Sequence, residues 1–275
     1  MPLTFNQALA TYGIDPREVR LLRHQGRGPS GRTPFVLWRD VRPLFEAYQA
    51  AQQVKNRNRL SASVWASFVV TPDGRTMLAG LYGVQGRERM PSDWPYPLSA
   101  RPPEGDDELY RLDHIAQFSE FDGRLYIDWG AGTRTWVQRA DQQDKPIEEF
   151  ARRFSEPPFP GFSAFTEPLS RILALPAAWA TALSAAHGIY LLTCPKTREL
   201  YVGSATGADG FLGRWRGYAL NGHGGNVKLM SREPSDYQVS ILKVAGSLDS
   251  EADILALESR WKAKLQSREM GLNAN

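Results

Sequence analysis

Apolar positions before about residue 150 fall in short runs separated by turn residues, the pattern of a β-rich domain with a few helices. Pro2 to Arg23 reads as a short helix or arm, ended by the loop Gln25-Gly26-Arg27-Gly28-Pro29-Ser30-Gly31. Phe35-Val36-Leu37-Trp38 predicts a strand, and Val41 to Gln53 a helix with Leu44, Phe45 and Tyr48 inward. Val64 to Val70, Met77 to Val84, Leu125 to Trp129 and Thr135 to Val137 are strand-like, with turn signals at Pro72-Asp73-Gly74 and Asp122-Gly123. Together they predict a partly closed barrel over residues 1–150. Pro157, Pro158 and Pro160 remove amide donors, so the stretch Phe154 to Phe162 can neither continue a helix nor join a central strand. Residues 151–175 are therefore expected to be a Pro-rich linker, and Pro176 opens a short helix, Ala177 to Ala186, that leads into a second domain over 176–275.

In that second domain, Gly188-Ile189-Tyr190-Leu191-Leu192-Thr193 and Glu199-Leu200-Tyr201-Val202-Gly203 flank Cys194-Pro195-Lys196-Thr197-Arg198, which predicts one antiparallel hairpin. Alternation allows Tyr190 and Tyr201 to sit on facing strands with their phenols close together. Arg214 and Tyr218, one helical turn apart, share a face. Ser250-Glu251-Ala252-Asp253 is a capping-box start, and Ile254, Leu257, Trp261 and Leu265 recur at helical spacing behind it. Glu258, four residues after Ile254, leans toward the packed side of that helix. A carboxylate there is costly unless it finds a metal or a cation.

The ordered set of Gly188-Ile189-Tyr190, ten intervening residues, Tyr201-Val202-Gly203, Arg214, Tyr218, the Gly-rich segment around His223, Glu258 and Asn273 resembles the catalytic domain of the GIY-YIG nuclease superfamily over residues 180–275. The second tripeptide departs by valine for isoleucine, and Tyr218 stands where some members carry a histidine. The resemblance implies an α+β protein: a small mixed nuclease domain with an antiparallel hairpin sheet flanked by helices, preceded by the β-rich domain. It implies catalytic roles for Tyr190, Tyr201, Arg214, Tyr218, His223, Glu258 and Asn273. Glu258 would supply one hard oxygen ligand to Mg²⁺ or Mn²⁺, with water and substrate phosphate completing the shell. Arg214 would hold the equatorial phosphate oxygens. Tyr190 would take the proton of the attacking water, although a free phenol has a pKa near ~10 and needs help from neighbouring cations. Tyr201, Tyr218 and His223 would relay protons or hold the phosphate, and Asn273 would fasten the helix of Glu258 to the sheet.

Charge distribution bears on the partner. The chain carries a net +3, yet residues 1–60 hold ten Lys and Arg against four acids, a local +6 that leaves −3 for the rest. Such a segment either follows a phosphate backbone or is a solvated arginine-rich exterior. Arg27, Arg32, Arg134, Arg216 and Lys228 are the candidate nucleic-acid contacts, and DNA, double-stranded in preference to single-stranded, is the expected partner, with a homodimer on DNA as one way to cut both strands. Trp65, Trp94, Tyr96, Trp129 and Trp136 offer either a stacking platform for a base or ordinary packing.

Cys194, the single cysteine, excludes an intramolecular disulfide, and the start Met1-Pro2-Leu3-Thr4-Phe5-Asn6 lacks a basic, apolar leader, so a cytoplasmic setting without a membrane is expected. The sequence as a whole predicts a metal-dependent DNA endonuclease acting in restriction of foreign DNA, with residues 1–150 choosing the target. A repair or recombination nuclease acting on branched or single-stranded DNA, and a non-cleaving nucleic-acid binder, remain as alternatives.

Overall fold

Thr4 accepts a hydrogen bond from the Gln7 amide while the Gln7 side chain returns one to the Thr4 amide, and this capping box starts α1 (Phe5–Thr11), which buries Phe5 and Leu9. The computed structural model describes residues 3–28, 31–99, 106–131, 135–221, 229 and 235–274. The chain divides into two units, Met1–Ser155 and Glu156–Asn275.

In the first unit, β1 (Val19–His24), β2 (Ala51–Gln53), β3 (Val64–Val70), β4 (Thr76–Arg89), β5 (Asp107–His114), β6 (Leu125–Ile127), β7 (Val137–Arg139) and β8 (Ile147–Phe150) form one curled, half-barrel sheet. Its main path runs β2-β5-β4-β3-β1-β7, with β6 joining β4 to β8. β1 and β3 are parallel, and every other described pair is antiparallel. The 14-residue β4 pairs with three strands, and its register slips between Val84 and Gly86, the kind of irregularity that lets a long strand bend. Phe5, Leu21, Phe68, Leu78, Phe118 and Trp129 are among the residues filling one side of the sheet.

Three expectations for this unit need correction. The arm ending at Arg23 instead contains β1, in which only Arg20 escapes burial. A strand buried on both faces lacks alternation, and its arginines and histidine disguised it further. The segment Phe35–Trp38 is not a strand but part of α2 (Pro34–Asp40): Pro34 pre-sets the first turn and Thr33 Oγ1 accepts the Val36 amide at 3.3 Å, so the cap overrides β-propensity. The next helix, α3 (Arg42–Ala50), stops before β2, and of its expected inward residues Phe45 is fully buried while Leu44 and Tyr48 are half-buried. A further short helix, α4 (Arg57–Leu60), precedes β3.

The second unit is built on a four-stranded antiparallel sheet ordered β11-β10-β12-β9, comprising β9 (Thr166–Pro168), β10 (Gly188–Thr193), β11 (Leu200–Ala205) and β12 (Gln238–Val244). Among its described residues the longer helices are α5 (Ala177–Ser184), α6 (Gly210–Asn221) and α7 (Glu251–Lys264). α6 covers the face bearing Tyr190, Leu192 and Tyr201, together with Trp215 and Leu183. α7 covers the opposite face, where Ile254 meets Ile189 and Val202. The chain expected to be a linker is part of this unit from Glu156 onward. The prolines keep Phe154–Gly161 out of helix and strand, but the aromatic residues beside them pack: Phe159 and Phe162 join the core, and Phe165 stacks on Trp215 at 5.3 Å. Trp179 on α5 donates its indole N–H to the Pro157 carbonyl at 2.8 Å, which ties the Pro-rich stretch to the domain.

Candidate active site

The hairpin register sets Tyr190 opposite Gly203 and Leu192 opposite Tyr201, so both phenols project toward α6. Tyr190 is fully buried, and its hydroxyl lies 3.0 Å from that of Tyr218 and accepts the Arg214 Nε–H at 3.2 Å. The Tyr218 ring meets that of Tyr201 edge-on at 6.2 Å, and the Arg214 guanidinium sits 5.3 Å from the centre of the Tyr218 ring. One turn of α6 thus closes a network of three phenols and one cation.

Burial is the main influence on these phenols. It pushes Tyr190 well above the ordinary tyrosine value, the neighbouring Tyr201 adds to the rise, and Arg214 offsets only part of it. Tyr218 is raised still more, by burial and then by Tyr190. Burial also works against the charge of Arg214, yet the surrounding phenol oxygens outweigh it and hold the guanidinium pKa above its usual range. Tyr190 and Tyr218 therefore stand as neutral hydroxyls beside a permanent cation near neutral pH, competent to donate and relay protons.

Glu258 lies on the other face of the sheet. Its Oε2 accepts a short hydrogen bond from Ser204 Oγ, its Oε1 pairs with Lys262 Nζ at 2.8 Å one turn along α7, and the residue is 9% exposed. Ser204 follows Gly203 on β11 and shares the α7 face with Val202. Asn273 grips β11 at both backbone groups of Val202, accepting its N–H at 2.9 Å and donating to its carbonyl at 2.8 Å.

The two faces meet beyond the end of β11. Ser204, Thr206, Asp209, Gly210, Gly213 and Arg214 line an open cavity of about 550 Å³ at the N-terminus of α6. Gly210 takes φ +49°, and a Cβ there would collide with the Ala186 carbonyl, so glycine is what lets α6 begin tight against the preceding helix. The Gly210 and Phe211 amides are taken by the Gly207 and Ala186 carbonyls at 2.9 and 3.0 Å, so the cation offered to this cavity is Arg214, four residues along the helix from Gly210. Tyr190, Tyr201, Tyr218 and Arg214 are brought together, with Glu258 reached through Ser204 and not through the phenols.

Ser204 and Asp209 are residues that sequence reasoning missed. A hydroxyl at a sheet position whose neighbours are apolar, facing a helix with an inward carboxylate, was the available signal. His223, Lys228 and Arg134 lie outside the described residues. Arg27, Arg32 and Arg216 are exposed. Much of the N-terminal positive charge is neutralised internally, with Arg17 on Asp15, Arg39 on Asp40, Arg42 on Asp122 and Arg57 on Glu108, while Arg23 is buried. Of the aromatic residues offered as a base platform, Trp65 and Trp129 are core, and Trp94 donates to the Ala47 carbonyl at 3.2 Å. Tyr96 and Trp136 are half-buried and line a separate cavity.

Three phenols and a guanidinium gathered at the start of α6, on a small antiparallel sheet with a carboxylate behind it, define the C-terminal unit as a nuclease-type domain. Residues 186–273 match the family model of the GIY-YIG catalytic domain, which makes DNA the substrate class of this unit. Neither the curated proteins nor the solved structures contain a match to the chain. Among the described residues no helix is long and apolar enough to cross a membrane, and no three His, Cys, Asp or Glu side chains gather as a metal cluster.

Proposed function

We propose that the protein is a divalent-metal-dependent DNA endonuclease, acting on double-stranded DNA in restriction of foreign DNA, with residues 1–150 choosing the target and residues 176–275 cutting it. The observation that carries this reading is the hydrogen-bonded Arg214–Tyr190–Tyr218 group beside the cavity at the start of α6.

GIY-YIG nucleases generally depend on a divalent metal. The donor set fits a one-carboxylate site: each Glu258 oxygen has a single protein partner, leaving further lone pairs, and Mg²⁺ characteristically takes most of its shell from water and phosphate. Bound there, Mg²⁺ or Mn²⁺ would neutralise phosphoryl oxygen charge and acidify water. Ser204 fixes the rotamer of Glu258, and Asn273 fixes the strand that carries Ser204. Arg214 holds the scissile phosphate. Tyr190 is kept protonated by burial, so in place of a standing phenolate base it serves as a relay that gives its own proton to Tyr218 as it takes one from the attacking water. Cutting both strands is met by two protomers on one duplex.

Supercoiled plasmid incubated with Mg²⁺ tests the reading. Wild type nicks it and Glu258→Ala and Tyr190→Phe do not; undiminished nicking by Glu258→Ala would refute the metal assignment. A non-cleaving DNA binder is the second reading, favoured by the Lys262 ion pair that already satisfies Glu258. Binding without any nicking across Mg²⁺ and Mn²⁺ would establish it.

A further inference from the structure

Where β1 ends and β2 and β5 begin, the N-terminal unit opens a cavity of about 450 Å³. Tyr48, Tyr96 and Trp136 give it aromatic walls, and Gln52, Gln53 and Asn56 give it side-chain amides. Flat rings with interspersed amides suit a planar heterocycle that offers both donors and acceptors at its edge.

Two buried polar atoms in this lining lack a partner among the described residues, His24 Nε2 and Asp107 Oδ1. His24 is 3% exposed, wedged edge-on between Phe45 at 5.5 Å and Tyr48 at 5.4 Å, and burial lowers its pKa to about 3. It is a neutral imidazole whose Nε2 has nothing to bond. Asp107 stands close enough to Tyr96 to help raise its pKa, and Asp107 Oδ1 is an acceptor with no donor among the described residues. Leaving a buried polar atom unpaired is unfavourable, and both of these belong to residues that line the same cavity.

Charge narrows the guest's chemistry. The guanidinium of Arg23, which also lines the cavity, is held by Thr76 Oγ1 at 3.0 Å and Gln25 Oε1 at 2.9 Å. A phosphate entering here would find that guanidinium already bonded on two sides, with a neutral imidazole and a carboxylate beside it. An acceptor-only carboxylate instead calls for an N–H donor such as the exocyclic amino group of cytosine or adenine. The exposed Arg59, whose guanidinium stands 5.8 Å from the Trp136 ring, supplies a cation for the adjoining phosphate.

We propose that this cavity receives one unstacked nucleobase bearing an exocyclic amino group, with Asp107 accepting from that amino group and Tyr96 and Trp136 flanking the ring. The proposal rests on the reading that the N-terminal unit chooses the DNA target, and it locates that choice in a base drawn out of the stack.

Fluorescence anisotropy with the full chain and labelled dA12, dC12, dT12 and abasic 12-mers tests it, with plasmid nicking as a parallel readout. Wild type should bind dA12 or dC12 at least ~10-fold more tightly than dT12 and the abasic strand, in line with the discrimination of about 1–3 kcal/mol per base. Asp107→Asn should erase that preference, and Gln52→Ala should reduce it several-fold, which keeps the test open if Asp107→Asn melts early. A wild-type preference that survives both substitutions overturns the pocket but leaves target choice by the N-terminal unit standing. Equal wild-type affinity for all four strands overturns both, and absent nicking counts against the nuclease reading alone.

Discussion

Gly203 stands opposite Tyr190 across the hairpin, and the space its missing side chain leaves is where the Tyr190 hydroxyl lies: a Cβ at 203 would overlap that oxygen and the ring carbon bearing it. The last residue of the Tyr201-Val202-Gly203 tripeptide is thus glycine because the phenol network passes over it. Gly203→Ala should displace Tyr190 from Arg214 and Tyr218, lowering plasmid nicking at least ~10-fold and stability by roughly 1–3 kcal/mol, the usual cost of overpacking. Wild-type nicking by this variant would show that the Tyr190 position is immaterial.

Arg214 touches both phenols in a way an ammonium cannot reproduce, donating through Nε to Tyr190 while its plane lies over Tyr218. Arg214→Lys keeps the charge and loses the fork. Nicking kcat should fall about 10²-fold, the scale seen when one donor to a developing anion is removed, with a smaller change in DNA affinity. A defect confined to affinity would make Arg214 a binding residue only.

A divalent ion at Glu258 would have to compete with Lys262, whereas Ser204 holds the carboxylate in place. Lys262→Met strands a mostly buried carboxylate, a change that typically costs about 3–5 kcal/mol. Its melting temperature should therefore rise on adding Mg²⁺ by more than that of wild type. Ser204→Ala should increase the Mg²⁺ needed for half-maximal nicking several-fold. A Lys262→Met melting curve indifferent to Mg²⁺ would argue that Glu258 binds no metal.

His24 links stability to acidity. Its pKa drops from 6.5 in the unfolded chain to about 3 when buried, so its contribution is fully present above pH 6.5 and is lost as pH falls toward 3. His24→Leu should flatten the stability profile of the N-terminal unit between those limits, measured by urea unfolding at several pH values. An unchanged slope would mean that other groups govern acid unfolding.

What the sequence disclosed depended on how local the determinant was. The hairpin of Tyr190 and Tyr201, the Pro176-led helix and the Ser250-capped helix each announce themselves through alternation or a cap within a few residues, and all three form. β5 and β12 escaped notice because each mixes polar and apolar residues without clear alternation, and their pairing partners lie well away in sequence. The bond from Ser204 to Glu258 spans 54 positions, and no local pattern connects them. The curl of the N-terminal sheet arises from register slips that only the paired strands reveal.

The strand at Thr166–Pro168 and the ring of Phe165 lie upstream of residue 186, where the family match begins, yet they close the free edge of β12 and cap Trp215. A fragment trimmed to residues 186–273 would present bare amides along β12 and an uncovered indole, an invitation to edge-to-edge association. Recombinant pieces meant to isolate the cutting module would behave best when begun at Glu156, ahead of the proline cluster.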